Sequence, residues 1–393
     1  MKSLSKLLWM GIRVTAVVAF LAAGAFTADK PAPHYVFTND DLAGKRLNSS
    51  TIYTIGAAGT LTEKTAIHPG SGGIAAGLFG LDKVSALQNG KQECLYVTDS
   101  LEGQVAGVVV PTLTVAGVYP GSNADGGQYN GVGLAMNSKY LYASFTASNT
   151  IGTFKVIPGC KLKFVGDVDA SGINGGTLDG MAVHGNLLVV TYGDGSIESF
   201  NVSKGKPIPN GDKQNSTGFQ SNNYPSGVDI TSDGHYAIFG DLSMSTVVEV
   251  SDISSGKLTR TVVYDHLGSN LNSVSVRLSP DESLLYIGNT QGGEITAAFF
   301  DKTAGTLSKG CSSAVLQGFG STWAYIGTIV TENNTGTGGA VYAAEYGAPS
   351  SIGIVEVKSS GGKCTLTESS KSPAMDATSS GLLSIGVYPP RPF

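Results

Sequence analysis

Two stretches of this sequence set opposite charges at matching points of similar frames: SGVDITSDGHYAIFG carries Asp229 and SVSVRLSPDESLLYIGN carries Arg277. An arginine held near a carboxylate in a cleft can orient an anionic substrate while the carboxylate takes a proton or polarises water. Glu345 is a second candidate for that acid–base role, so the catalytic set read from the sequence is Arg277, Asp229 and Glu345. The same residues also admit a structural reading, in which Asp229 pairs with Arg277 or Arg277 bonds to backbone carbonyls. Arginine is scarce: beyond residue 25 the chain holds only Arg46, Arg260, Arg277 and Arg391. The ligand-binding candidates are Asn130, Asp179, Tyr192 and Asn289. Asp179 and Glu345 suit a hard cation such as calcium, but there is no contiguous calcium loop, so no metal site is assigned. His184 and His235 sit at tight turns and are expected on the face opposite the binding mouth. There is no Gly-Xaa-Ser-Xaa-Gly elbow and no His-Glu-Xaa-Xaa-His motif.

A repeat architecture brings residues so scattered toward one axis, and the chain has one. A short apolar strand recurs as YVFTN, LYVTD, LYASF, LVVTY, YAIFG, LYIGN and VYAAE. The second residues of these strands, Val36, Tyr96, Tyr142, Val189, Ala237, Tyr286 and Tyr342, are spaced by 60, 46, 47, 48, 49 and 56 positions. Before each of the central copies lies a strand and a tight polar turn, and after it an alternating strand and a Gly-containing turn. A unit of about 48 residues built this way is a four-stranded propeller blade. The predicted fold is all-β: a seven-bladed β-propeller of four-stranded blades over residues 35–393. Its first copy lacks an inner strand, and GLLSIGVYPPRPF ends the chain with one to spare, so the ring is expected to be closed by the C-terminal strand.

Residues 1–25, with Lys2 and Lys6 ahead of an apolar run and Ala23-Gly24-Ala25, read as a signal peptide, followed by a linker over 26–34. This predicts a secreted or periplasmic protein with no transmembrane segment in the mature chain. The formal charge is −5, and removing Lys2, Lys6 and Arg13 takes it to −8; with no basic stripe, nucleic acid is excluded as a partner. Cys94, Cys160, Cys311 and Cys364 lack zinc spacing. In an oxidising compartment they suit disulfides, with three pairings open. Cys94–Cys160 and Cys311–Cys364 would each tie neighbouring blades, and four free thiols are the alternative.

The segment SVSVRLSPDESLLYIGN, and more weakly SGVDITSDGHYAIFG, resembles the lactonase-like seven-bladed propellers of the 6-phosphogluconolactonase and carboxymuconate cyclase types. The resemblance implies Arg, His and acidic residues around one channel mouth, with Arg277 at the inner-strand place where that family often has arginine. After LYIGN the chain continues TQGG without an arginine, which departs from binding a phosphorylated sugar acid. Two functions remain as expectations. The first is an exported, monomeric binding or scaffold protein whose partner is a small anionic molecule or another exported protein. The second is a hydrolase or cyclase acting on a small anionic sugar-acid or unsaturated-acid lactone.

Overall fold

Each recurring apolar strand becomes the second strand of an antiparallel sheet because both of its faces are covered. Leu95, Tyr96 and Val97 are fully buried, as are Leu141, Tyr142 and Ala143, which is why these strands read as continuous apolar runs. The computed structural model describes residues 34–40, 44–45, 48–68, 72–73, 82–90, 92–100, 102–121, 132–215, 225–242, 246–268, 272–319, 325–331, 339–346, 350–376, 382 and 384–391. Seven sheets radiate from one axis. Blade 6 is typical: inner strand Ser273–Leu278, second strand Leu284–Asn289, third strand Glu294–Asp301 and outer strand Thr306–Ser312. The inner strands of blades 2 to 5 and 7 are Val84–Asn89, Val132–Met136, Leu178–His184, Pro225–Ile230 and Tyr325–Thr331. Blade 1 is assembled from both ends of the described chain, Ser384–Tyr388 pairing antiparallel with Tyr35–Asn39. Each inner strand neighbours the next around a complete circle. Among the described residues no helix is long and apolar enough to cross a membrane.

Two features of the expected architecture are corrected. Blades 4 and 7 are five-stranded: the outer place beside Ser196–Asn201 is shared by Ile208–Pro209 and Gln214–Asn215, and that beside Ser350–Ser360 by Lys363–Glu368 and Ala374–Asp376. The larger correction concerns closure by the C-terminal strand. No sheet is closed by hydrogen bonds; every blade is an open sheet with an inner and an outer edge. Pairing of Ser384–Tyr388 completes one blade, and the circle is completed by side-chain packing. Seven apolar clusters each fill the gap between consecutive blades, the last setting Tyr342, Ile352 and Ile354 of blade 7 against Val36, Tyr53 and Ile385 of blade 1. Burying each such side chain contributes roughly 1.5–3 kcal/mol. The Tyr342 hydroxyl adds a hydrogen bond to the Gly59 carbonyl across the same interface, at 3.0 Å.

Both disulfides join adjacent blades: Cys94, on the second strand of blade 2, bonds Cys160 in the outer turn of blade 3, and Cys311–Cys364 joins the outer strands of blades 6 and 7. The first needs a close approach, since a Cβ at Gly107 would stand 2.0 Å from the Cys160 carbonyl oxygen. Replacing Cys94 and Cys160 together by alanine is expected to lower unfolding free energy by about 4 kcal/mol, from loss of a long closed loop. Urea unfolding of the two proteins under non-reducing conditions checks this.

Candidate functional site

The inner strand of every blade presents one unpaired edge to the axis, so backbone N–H and C=O groups point into the channel and need partners. Charged side chains meet part of that need. Arg277, near the end of blade 6's inner strand, donates through Nη1 to the carbonyls of Val276 at 2.9 Å and Val228 at 3.4 Å. The Asp229 carboxylate accepts from the backbone N–H of Ile230 at 2.8 Å and of Leu278, in the next blade, at 2.9 Å.

The two residues singled out by matching frames do not pair with each other. In the ladders Arg277 stands opposite Tyr286, the anchor of its blade, whereas Asp229 stands opposite Ile238, one residue past the anchor Ala237. Arg277 instead reaches along the channel and donates through Nη2 to Asp82, which precedes the inner strand of blade 2. Asp229 is held by Arg391, whose Nη1 and Nη2 lie 3.2 and 3.4 Å from its two oxygens. Arg391 follows Pro389 and Pro390, which have no N–H to continue a ladder, so the chain leaves blade 1 and crosses to blade 5. There Arg391 also donates to the Ile230 carbonyl and lies 3.8 Å from Glu282 of blade 6. Glu282 is fixed by Lys302 at 2.6 Å and by the Ser232 hydroxyl at 3.0 Å.

These groups enclose a cavity of about 200 Å³ whose wall takes residues from all seven blades. Asp82, His184, Asp229, Arg277 and Arg391 are its ionisable members, beside small residues such as Ser85, Ala135, Ala182 and Gly386. Burial raises the Asp82 carboxyl above its ordinary range; repulsion from Asp229 adds to this and the Arg277 charge opposes it. Burial, and then the Arg391 charge, lowers the His184 imidazole, which is therefore neutral at pH 7. His184 thus belongs to the site, which lies toward the end of the channel where the inner strands finish. His184 therefore lines the cavity and does not lie on the opposite face.

The remaining predicted residues stand apart from this cavity. Glu345, at the end of a second strand, is buried and accepts from Ser351 at 2.5 Å. Tyr192 donates to Glu198 at 2.8 Å, and Asn289 donates to Thr296 at 2.8 Å. All three bridge from second to third strand, one strand out from the axis. Asp179 is buried in the inner strand of blade 4 with Oδ1 unpartnered, and burial raises its carboxyl well above the ordinary range. Asp179 and Glu345 sit on blades 4 and 7, which share no interface. Among the described residues no group of three or more His, Cys, Asp or Glu is placed to hold a metal. Asn130 lies outside the described residues. His235 is exposed beside Asp233.

Comparison with solved structures finds the fold over nearly the whole chain. A "putative 6-phosphogluconolactonase" from Bacteroides fragilis NCTC 9343 superposes with a TM-score of 0.67 at 16% identity, covering 92% of this chain and 99% of that one. The chain has the fold of a lactonase-type seven-bladed propeller. A functionally unknown protein from Desulfotomaculum acetoxidans DSM 771 matches with a TM-score of 0.63 at 13% identity, over 91% of this chain and 99% of its own. A Lactobacillus plantarum protein matches at 0.53 and 13%, over 79% and 98%. No protein-family model matches the sequence, and no curated protein matches it. At these identities the likeness is one of fold.

Burial holds Asp241 and Glu345 each at about 7. Raised carboxyls bind protons on folding, so their contribution is complete below pH 4 and is lost as pH rises through 7. The lowered His184 acts in the opposite sense, losing stability as pH falls through 6.5. Burial raises Asp40, Asp82 and Asp179 in the same direction, so these carboxyls outweigh one lowered imidazole and the thermal midpoint is expected to fall by several degrees from pH 5 to pH 8. Glu345→Gln should flatten that slope; melting curves across the pH range check both.

Proposed function

We propose that the axial cavity is the active site of a hydrolase for small anionic lactones. The observation that carries this is the convergence of two arginines and a neutral histidine on one cavity, within a fold shared with a lactonase-type propeller. Arg277 orients the anionic end of the substrate. Arg391, kept in place by Asp229 and Glu282, polarises the lactone carbonyl. Asp229 is saturated by two backbone N–H groups and a guanidinium, so it positions Arg391 and does not act as the base.

His184 takes a proton from water as the oxygen adds to the carbonyl carbon. The ring carbon–oxygen bond then breaks, and the imidazolium returns the proton to the departing alkoxide, giving a hydroxy acid. Export is part of the same reading: the N-terminal segment has the order of a signal peptide, and two disulfides suit an oxidising compartment. The pairing of both guanidiniums with carboxylates favours a second reading, a binding protein without turnover.

Assay of the purified protein across a panel of aldonolactones and unsaturated-acid lactones is expected to show turnover. His184→Gln should reduce kcat about 10²–10⁴-fold, and Arg277→Ala should raise KM. Absence of turnover in a protein with intact disulfides and a cooperative melt would reject the hydrolase and leave the binding reading.

A further inference from the structure

Charge and size in the cavity define the ligand more narrowly than its fold does. Its wall balances Arg277 and Arg391 against Asp82 and Asp229. The two carboxylates are not equivalent. Asp229 accepts from two backbone N–H groups and both Arg391 Nη atoms, so four hydrogen bonds fix it in the wall. Asp82 is buried and holds its charge in the wall through Arg277. It is the member of the set that can release its arginine by accepting a proton. Arg277 would then be free at Nη2, with one positive charge in excess.

The space left is also small. An enclosed dry cavity of roughly 150 Å³ accommodates benzene, so about 200 Å³ in a pocket that also opens to solvent seats a ring bearing one compact substituent. A phosphorylated six-carbon sugar lactone is much larger, and its phosphate carries close to two charges at pH 7.

Resting on the cavity being the anion site proposed above, we infer that its ligand is a small monocarboxylate, or the lactone of one, which displaces Asp82 from Arg277 with uptake of one proton. Asp82 is then a specificity-determining residue that selects one negative charge over two. The charges acting on it are Arg277 from blade 6 and Asp229 from blade 5; His184 from blade 4 and Arg391 from the tail share the cavity wall, and Lys83 is its neighbour in the chain. Burial and Asp229 both push its carboxyl upward, in the direction that proton uptake needs.

The test is calorimetric titration with benzoate and with phenyl phosphate, which share a ring and differ in charge, in buffers of different ionisation enthalpy. Benzoate is expected to bind with uptake of one proton, weakening about a hundredfold from pH 6 to pH 8. Phenyl phosphate is expected to bind at least tenfold more weakly at pH 7. Asp82→Asn should bind benzoate with an affinity independent of pH, and Arg277→Gln should lose binding. Equal or tighter binding of phenyl phosphate, benzoate binding without proton uptake, or no benzoate binding to the folded protein would overturn the inference. Proton-linked benzoate binding without lactone turnover would remove the hydrolase reading and keep this one. Turnover without such binding would do the reverse.

Discussion

A four-stranded sheet with apolar side chains on both faces must find a cover for each face, and a ring of such sheets supplies it. That constraint organises the molecule. Strands such as Cys94–Val97 and Leu187–Val190 carry almost no polar side chains because no face of theirs meets water. Each of the seven apolar clusters belongs to two blades at once, so a blade without its neighbours would expose both faces. The interface between blades 7 and 1 is of the same kind as the other six, which explains how the ring closes without a continuous hydrogen-bonded ladder.

The same geometry creates the site. Side chains of the inner strands point mostly into the blade interfaces, leaving backbone edges to face the axis. A charged side chain that turns toward the axis therefore meets unpaired carbonyls and N–H groups, and can be held there with precision. Arg277 and Arg391 use carbonyls of Val228, Val276 and Ile230 in this way, and Asp229 uses N–H groups of two blades. Both ion pairs span the channel, from blade 6 to blade 2 and from blade 1 to blade 5. They couple blades that otherwise share no surface.

The polar residues at the ends of second strands serve a different purpose. Tyr192 with Glu198, Asn289 with Thr296, and Glu345 with Ser351 repeat one hydrogen bond in three blades. These pairs let the ends of buried strands carry polar atoms without leaving them wholly unsatisfied. Both oxygens of Asp241 are unpartnered, and burial raises its carboxyl as it does that of Glu345.

The sequence by itself determined what depends on local pattern. Anchor spacing gave seven units, polar turns gave the hairpins, and a surplus strand at one end matched a missing strand at the other. The places of Cys94 and Cys160 in their blades were enough to make their pairing geometrically reasonable. Arg277 and Asp229 were recognisable because they set opposite charges at similar places in the inner strands of neighbouring blades. Only the tertiary structure decided their partners, because a channel brings blade 6 against blade 2 and carries a C-terminal tail to blade 5, contacts separated by 195 and 162 residues. Asp82 had no repeat context to mark it. His184 and Arg391 had a signal, one at the end of an inner strand and the other just past the end of one. Reading it required knowing which end of the channel holds the cavity, and linear spacing does not encode that.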